Sequence, residues 1–215
     1  MTLEDFSNTI PVFPLEGALL LPGGLLPLNI FEQKYISMVN AALESDRLIG
    51  MIQPDQAARH AGQDGAIQNI GCVGRITQFS ETEDGRYLIM LKGLMRYKVI
   101  KEIKTNCPYR IITVDYKDYV DDLVEDCDTI EIDREAFLPK LNDYLNAYHI
   151  DTDWEIIEQT PCETLLTTLP MVCPFDSQEK QLLLEASDLQ KRYEILQTLI
   201  EIALKSGASR HNATH

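Results

Sequence analysis

Residues 10–35 read IPVFPLEGALLLPGGLLPLNIFEQKY, a set of apolar blocks cut by Pro11, Pro14, Pro22 and Pro27. Each proline removes a backbone donor and collides with the preceding helical turn, so no helix runs through this stretch. The blocks 10–15, 18–21 and 25–30 have strand length, and Pro22-Gly23-Gly24 is a turn. Past residue 30 the period changes. Phe31, Tyr35, Val39 and Leu43 recur every four residues, which is one face of a helix. Residues 48–53 form another short apolar run, and 54–66 read as a polar loop with a little helix. The segments 70–79, 87–91, 94–103 and 110–116 read as strands, with Asp84-Gly85 a hairpin signal between the first two. About seven short strands, one helix and many turns predict a small, partly closed barrel.

The second half has helical spacing. Phe137, Leu138, Leu141, Tyr144, Leu145 and Tyr148 recur at three and four. Pro139 marks a kink in that helix or a later start. Trp154, Ile156 and Ile157 begin a further turn. Thr160-Pro161-Cys162-Glu163 reads as a capped helix start, with Thr160 as cap and Pro161 at the first helical position. Asp176-x-x-Glu179 repeats the pattern. Leu189, Tyr193, Leu196, Leu199, Ile200 and Ala203 form a long stripe, which Gly207 is expected to stop. Several amphipathic helices with short links predict a bundle. The fold class is therefore α+β: a β-rich barrel over 1–116, a helical bundle over 117–207 and a disordered tail over 208–215.

Charge sharpens this division. The 215-residue chain carries a formal net charge of −15. Residues 1–114 hold a net −1 and residues 115–215 a net −14, which suggests two units joined near residue 115. Nucleic-acid binding needs many phosphate-neutralising cations, so it is not expected as a general activity. Residues 115–135 contain ten acidic and two basic side chains. Such a block is a solvated linker, an exposed helix start, or an acidic docking strip.

The five cysteines, at 72, 107, 127, 162 and 173, form no CxxC pair. They read as free thiols of a reducing compartment. The four histidines have no ligand spacing, so neither a metal nor a cofactor is expected. The opening MTLEDFSN has no basic n-region. The longest apolar run, 17–28, is 12 residues with two prolines, too short and broken to span a bilayer. A cytoplasmic protein without a membrane partner is expected.

Three blocks carry a family resemblance. The first is IPVFPL followed by LLLPGGLLPLNIFEQKY. The second is Ile70-Gly-Cys-Val-Gly-Arg-Ile-Thr-Gln-Phe79, then Asp84-Gly-Arg and Leu91-Lys-Gly-Leu-Met-Arg-Tyr-Lys-Val99. The third is Cys173-Pro-Phe-Asp-Ser-Gln-Glu-Lys180 followed by LLLEA. In this order they resemble the N-terminal domain of the ATP-dependent protease Lon, and most of all short stand-alone proteins consisting of that domain. The resemblance implies a PUA-like barrel, a C-terminal helical bundle and a part in selecting protein substrates.

No catalytic residues are assigned. There is no G-x-x-x-x-G-K-[ST] to cradle a triphosphate, no serine sits in a G-x-S-x-G setting, and no H-E-x-x-H occurs. The expected function is a non-catalytic module that binds unfolded or extended polypeptide, with a protease or chaperone as partner, acting as monomer or homodimer. Leu19, Leu20, Leu21, Leu25 and Leu26 around the Gly23 turn are the candidate substrate-binding residues. They are either core or an exposed apolar patch, and those nearest the glycines should reach the surface. Lys92, Lys98 and Lys104, with Arg96 between them, form a basic strand suited to an anion or RNA, or simply to a solvated face. Glu32 and Arg96 are expected to pair and lock the helix onto the barrel. A hydrolase acting on its own is the remaining alternative.

Overall fold

The first apolar block folds as β1 (Thr9–Pro14) and the third as β2 (Leu25–Ile30), whereas residues 18–21 form no strand in the computed structural model, which describes residues 3–124 and 132–211. Helix α1 (Gln33–Leu43) leads into β3 (Leu48–Ile52), a short helix α2 (Gln56–His60), then β4 (Ile70–Glu81), β5 (Tyr87–Ile103) and β6 (Arg110–Asp115). The strand order is β2-β5-β4-β3-β1-β6, and β5 also pairs with β6. Five strands thus close on one another, and β2 extends the sheet along the first half of β5 alone. The partly closed barrel is present, with six strands among the described residues.

Two expected strands, 87–91 and 94–103, are one. Gly93 does not break β5. Its missing side chain admits the Leu21 carbonyl, against which a Cβ would collide. Register shifts between Val73 and Gly74, and between Ile76 and Gln78, bend the long β4–β5 ribbon. The first shift turns the two ends of β5 toward different cores. Met95 and Tyr97 join Ile10, Val12, Leu48, Val73 and Ile112 inside the barrel. Ile89 and Leu91 instead join a larger cluster shared with the helices.

Helix α1 packs with a rotated stripe. Its buried residues are Ile36, Met38, Val39 and Ala42. Phe31 precedes the helix and is exposed, while Tyr35 is half-buried with its ring 4.1 Å from that of Phe13. Beyond a short 3-10 segment (Lys117–Leu123) come α3 (Arg134–Ala147), α4 (Trp154–Gln159), α5 (Cys162–Val172), α6 (Ser177–Glu185) and α7 (Leu189–His211). Pro139 does not delay α3, which starts at Arg134 with the Asp133 carboxylate accepting from the Ala136 N–H. Thr160 does not cap α5: its hydroxyl donates to the Ile156 carbonyl at 2.6 Å, and Pro161 takes the cap position. Asp176 and Glu179 do form a capping box. Helix α7 runs through Gly207 to His211, because one flexible residue weakens a helix without ending it. Of the expected acidic block, residues 125–131 lie outside the described residues, as do residues 212–215 of the expected tail.

The helices dock on the side of the sheet opposite the barrel interior. Phe137, Leu141, Leu166, Leu183 and Leu196 share one buried cluster with Leu19, Leu20, Leu21, Met51 and Cys72. Polar contacts cross the same seam. Gln53 Nε2 donates to the Ser177 carbonyl at 2.9 Å, Lys180 Nζ to the Gly17 carbonyl at 2.8 Å, and Gln181 Nε2 to the Ile70 carbonyl at 3.1 Å. Burial of Lys180 lowers the pKa of its ammonium.

Candidate functional site

The leucine turn divides into two parts. Leu19, Leu20 and Leu21 are at most 2% exposed and fill the seam between sheet and helices. Gly24 lies so close to Met171 of α5 that a Cβ would strike its sulfur, which shows how tightly the loop is pressed under that helix. Leu26 is half-buried against the same core. Leu25 is the one member in the open, at 58% exposure. The loop fills part of the seam between the two halves, beside an open cleft lined by Glu16, Gly17, Gln56, Phe175 and Ser177.

The predicted pair does not form. Glu32 is exposed and bonded to Lys34 at 2.9 Å. Arg96 is buried and finds Asp122 of the 3-10 segment, at 2.7 Å from its Nη2 and 2.9 Å from its Nε. Its other terminal nitrogen donates to the carbonyls of Leu184 and Ala186. Burial alone would lower the Arg96 pKa, but the Asp122 bonds and charge reverse that, and it stands above its usual value. Glu32 was the expected partner because both residues sit in family-like blocks. The true partner is 26 positions away, in the acidic stretch read as solvated linker.

The basic strand does not form one surface. Arg96 is spent on Asp122, and Arg110 makes two bonds to Glu102, at 2.8 and 2.6 Å. Lys92, Lys98 and Lys104 are exposed. Lys92 and Lys98 are six residues apart, roughly 20 Å along a strand at about 3.4 Å per residue. Among the described residues, no group of three or more His, Cys, Asp or Glu side chains could hold a metal ion. No helix among them is long and apolar enough to cross a membrane.

An exposed apolar surface sits on the arm formed by β2, the first half of β5 and the end of β4. Directly opposed residues on antiparallel strands share a face. Leu25 faces Lys92, Pro27 faces Met90, and Asn29 faces Leu88. Lys92 faces Arg75, Met90 faces Gln78, and Leu88 faces Ser80. The opposite face, carrying Leu26, Leu28, Ile89 and Leu91, packs against the helical side. The outward face therefore carries Leu25, Pro27, Leu88 and Met90 with polar residues around them. A cleft of about 520 Å³ opens on it, lined among others by Pro27, Leu88, Met90 and Gln78. Leu88 is 45% exposed. Sequence reasoning missed Pro27, Leu88 and Met90. The available signal was the unbroken apolar run from residue 87 to 91, which a strand with one solvated face does not need.

Closed barrel, docked bundle and open strand face define the class: an α+β domain with helices on one side of its sheet and an uncovered apolar arm on the other. The chain belongs to the ATP-dependent protease La (LON) substrate-binding domain family, whose family model matches residues 9–201. It is 29% identical over 123 residues to a Lon protease of Anaeromyxobacter dehalogenans, covering 56% of this chain and 14% of that protein. With a Lon protease of Dictyoglomus thermophilum it shares 27% identity over 203 residues, covering 89% of this chain and 24% of that protein. The chain thus spans a quarter or less of the length of these relatives. The fold is similar to a Lon N-terminal domain protein from Xanthomonas campestris, with TM-score 0.60 and 21% identity over 87% of this chain and 96% of that one. It is also similar to the N-terminal domain of a Mycobacterium avium complex Lon protease, with TM-score 0.57 and 16% identity over 92% and 98%.

Proposed function

We propose that the outward face of the β2–β5–β4 arm binds extended apolar segments of polypeptide, and that the protein is a non-catalytic binding module that holds such clients or presents them to a protease. The observation that carries this reading is the coincidence of exposed Leu25, Pro27 and Leu88 and half-buried Met90 with an open cleft on one strand face. The family's description as a substrate-binding domain supports it. Affinity comes from covering these side chains, at about 25 cal/mol per Å² of apolar area, less the cost of ordering the client. The spread of the basic strand argues against RNA.

The test is fluorescence anisotropy with a labelled, permanently unfolded polypeptide, reduced and carboxymethylated lactalbumin. The Leu25→Asp/Leu88→Asp variant should lose about tenfold or more in affinity, with its melting temperature close to the wild type because both sites are exposed. Undiminished affinity in the folded variant removes the arm as the binding face.

A further inference from the structure

The apolar face of the arm ends in a row of two cations. Leu88, Met90 and Lys92 alternate along β5 and share its outward side, and Arg75 stands directly across from Lys92 on β4. Arg75 is half-buried and Lys92 exposed. Among the described residues neither side chain has an ion-pair or hydrogen-bond partner, and the Arg75 Nε is buried with no acceptor. This stands out in a chain of net charge −15, where other buried or half-buried cations found carboxylates or carbonyls: Asp122 for Arg96, Glu102 for Arg110, the Gly17 carbonyl for Lys180.

Resting on the reading of the arm as the binding face, we propose that it selects segments in which an acidic side chain follows two alternating apolar residues, with the carboxylate received by Arg75 and Lys92. The spacing fits a client in extended form. Successive outward residues of β5 are roughly 6.8 Å apart, as are alternate side chains of any strand laid along it. Apolar residues over Leu88 and Met90 then place the residue two further on above the cation row. A guanidinium beside an ammonium suits a carboxylate, which a guanidinium can meet with two parallel bonds. The preference runs against the field of the whole molecule, which repels acidic peptides at long range, so bulk charge cannot produce it.

The experiment compares two capped heptapeptides by fluorescence anisotropy at physiological salt: acetyl-Glu-Ser-Leu-Ser-Leu-Ser-Glu-amide and its counterpart with Gln at both ends. The symmetric design serves either chain direction, and the caps leave side chains as the only carboxylates. The Glu peptide should bind about threefold more tightly than the Gln peptide, the scale of a partly exposed ion pair. That ratio should fall toward one in the Arg75→Gln/Lys92→Gln protein, with folding checked by circular dichroism. Equal binding of both peptides to the wild type overturns the acidic preference and leaves the arm as an apolar site. Binding of neither overturns both readings. A free-acid Gln peptide that binds more tightly than the capped Glu peptide overturns the assignment to a side chain and gives the row to a chain terminus.

Discussion

Asp122 is the carboxylate that meets the buried Arg96. It faces Arg96 at 2.7 Å with both side chains under a tenth exposed. A second buried cation, Arg192, lies within its field. Burial and the nearby Arg96 lower the Arg192 pKa to about 10, while Asp122 acts in the opposite direction. Removing the carboxylate leaves two cations in the seam without a charged partner at hydrogen-bond distance among the described residues: Arg96 keeps the carbonyls of Leu184 and Ala186 and the Tyr119 ring, and Arg192 the carbonyl of Leu183. Breaking a buried pair from one side typically costs about 3–5 kcal/mol. Asp122→Ala should therefore lower stability by roughly 3 kcal/mol in urea denaturation. Glu32→Ala, which breaks only an exposed contact with Lys34, should stay within about 0.5 kcal/mol of wild type. An Asp122→Ala protein as stable as wild type would mean that the seam does not depend on this charge. The contrast was not legible in the sequence. Both acids lie in plausible settings, and only the path of the chain decides which one Arg96 meets.

At the scale of elements, β2 is an open edge, and Pro27 sits at its centre. The Gly93 N–H donates to the Gly24 carbonyl at 2.8 Å, which sets the phase of the ladder. By alternation, the backbone groups of Leu25, Pro27 and Asn29 turn away from β5 toward the free edge. Pro27 has no N–H to offer there, which blunts an edge that could otherwise template another strand. Pro27→Val should increase concentration-dependent self-association in sedimentation velocity. An unchanged association state would show that the edge needs no such guard. Here the sequence was more informative. The prolines ruled out helix correctly, the Asp84-Gly85 hairpin formed, and the Asp176–Glu179 cap formed as spaced. It misled where a local signal met a tertiary demand. Segments 87–91 and 94–103 read as two strands but are one, with Gly93 between them making room for the Leu21 carbonyl, and Thr160 closes α4 where its neighbours suggested the start of α5. Among the five candidate leucines, spacing could not separate the buried Leu19–Leu21 from the exposed Leu25, because the former pack in a cluster with helices far along the chain.

At the scale of the whole molecule, the charge break near residue 115 suggests two units, yet the largest apolar cluster draws on both. Leu20 and Leu91 pack in the same cluster as Leu166 and Leu196, and four cross-seam side chains, Gln53, Arg96, Lys180 and Gln181, are each less than 9% exposed. Two halves that share one core should unfold together. The single tryptophan, Trp154, lies in the helical half, so its fluorescence reports that half, while far-UV circular dichroism reports the whole backbone. Their thermal transitions should coincide. Separate midpoints would show that the two halves unfold independently.

The strand that floors the cleft is also a wall of the barrel, because β5 runs unbroken from Tyr87 to Ile103. A pull on a segment held along the arm would load that strand lengthwise. Inter-strand bonds lie across the strands, so those joining β5 to β2, β4 and β6 would resist in shear, many at once, instead of peeling open one by one. The proposed site is mounted on a strand suited to hold against traction.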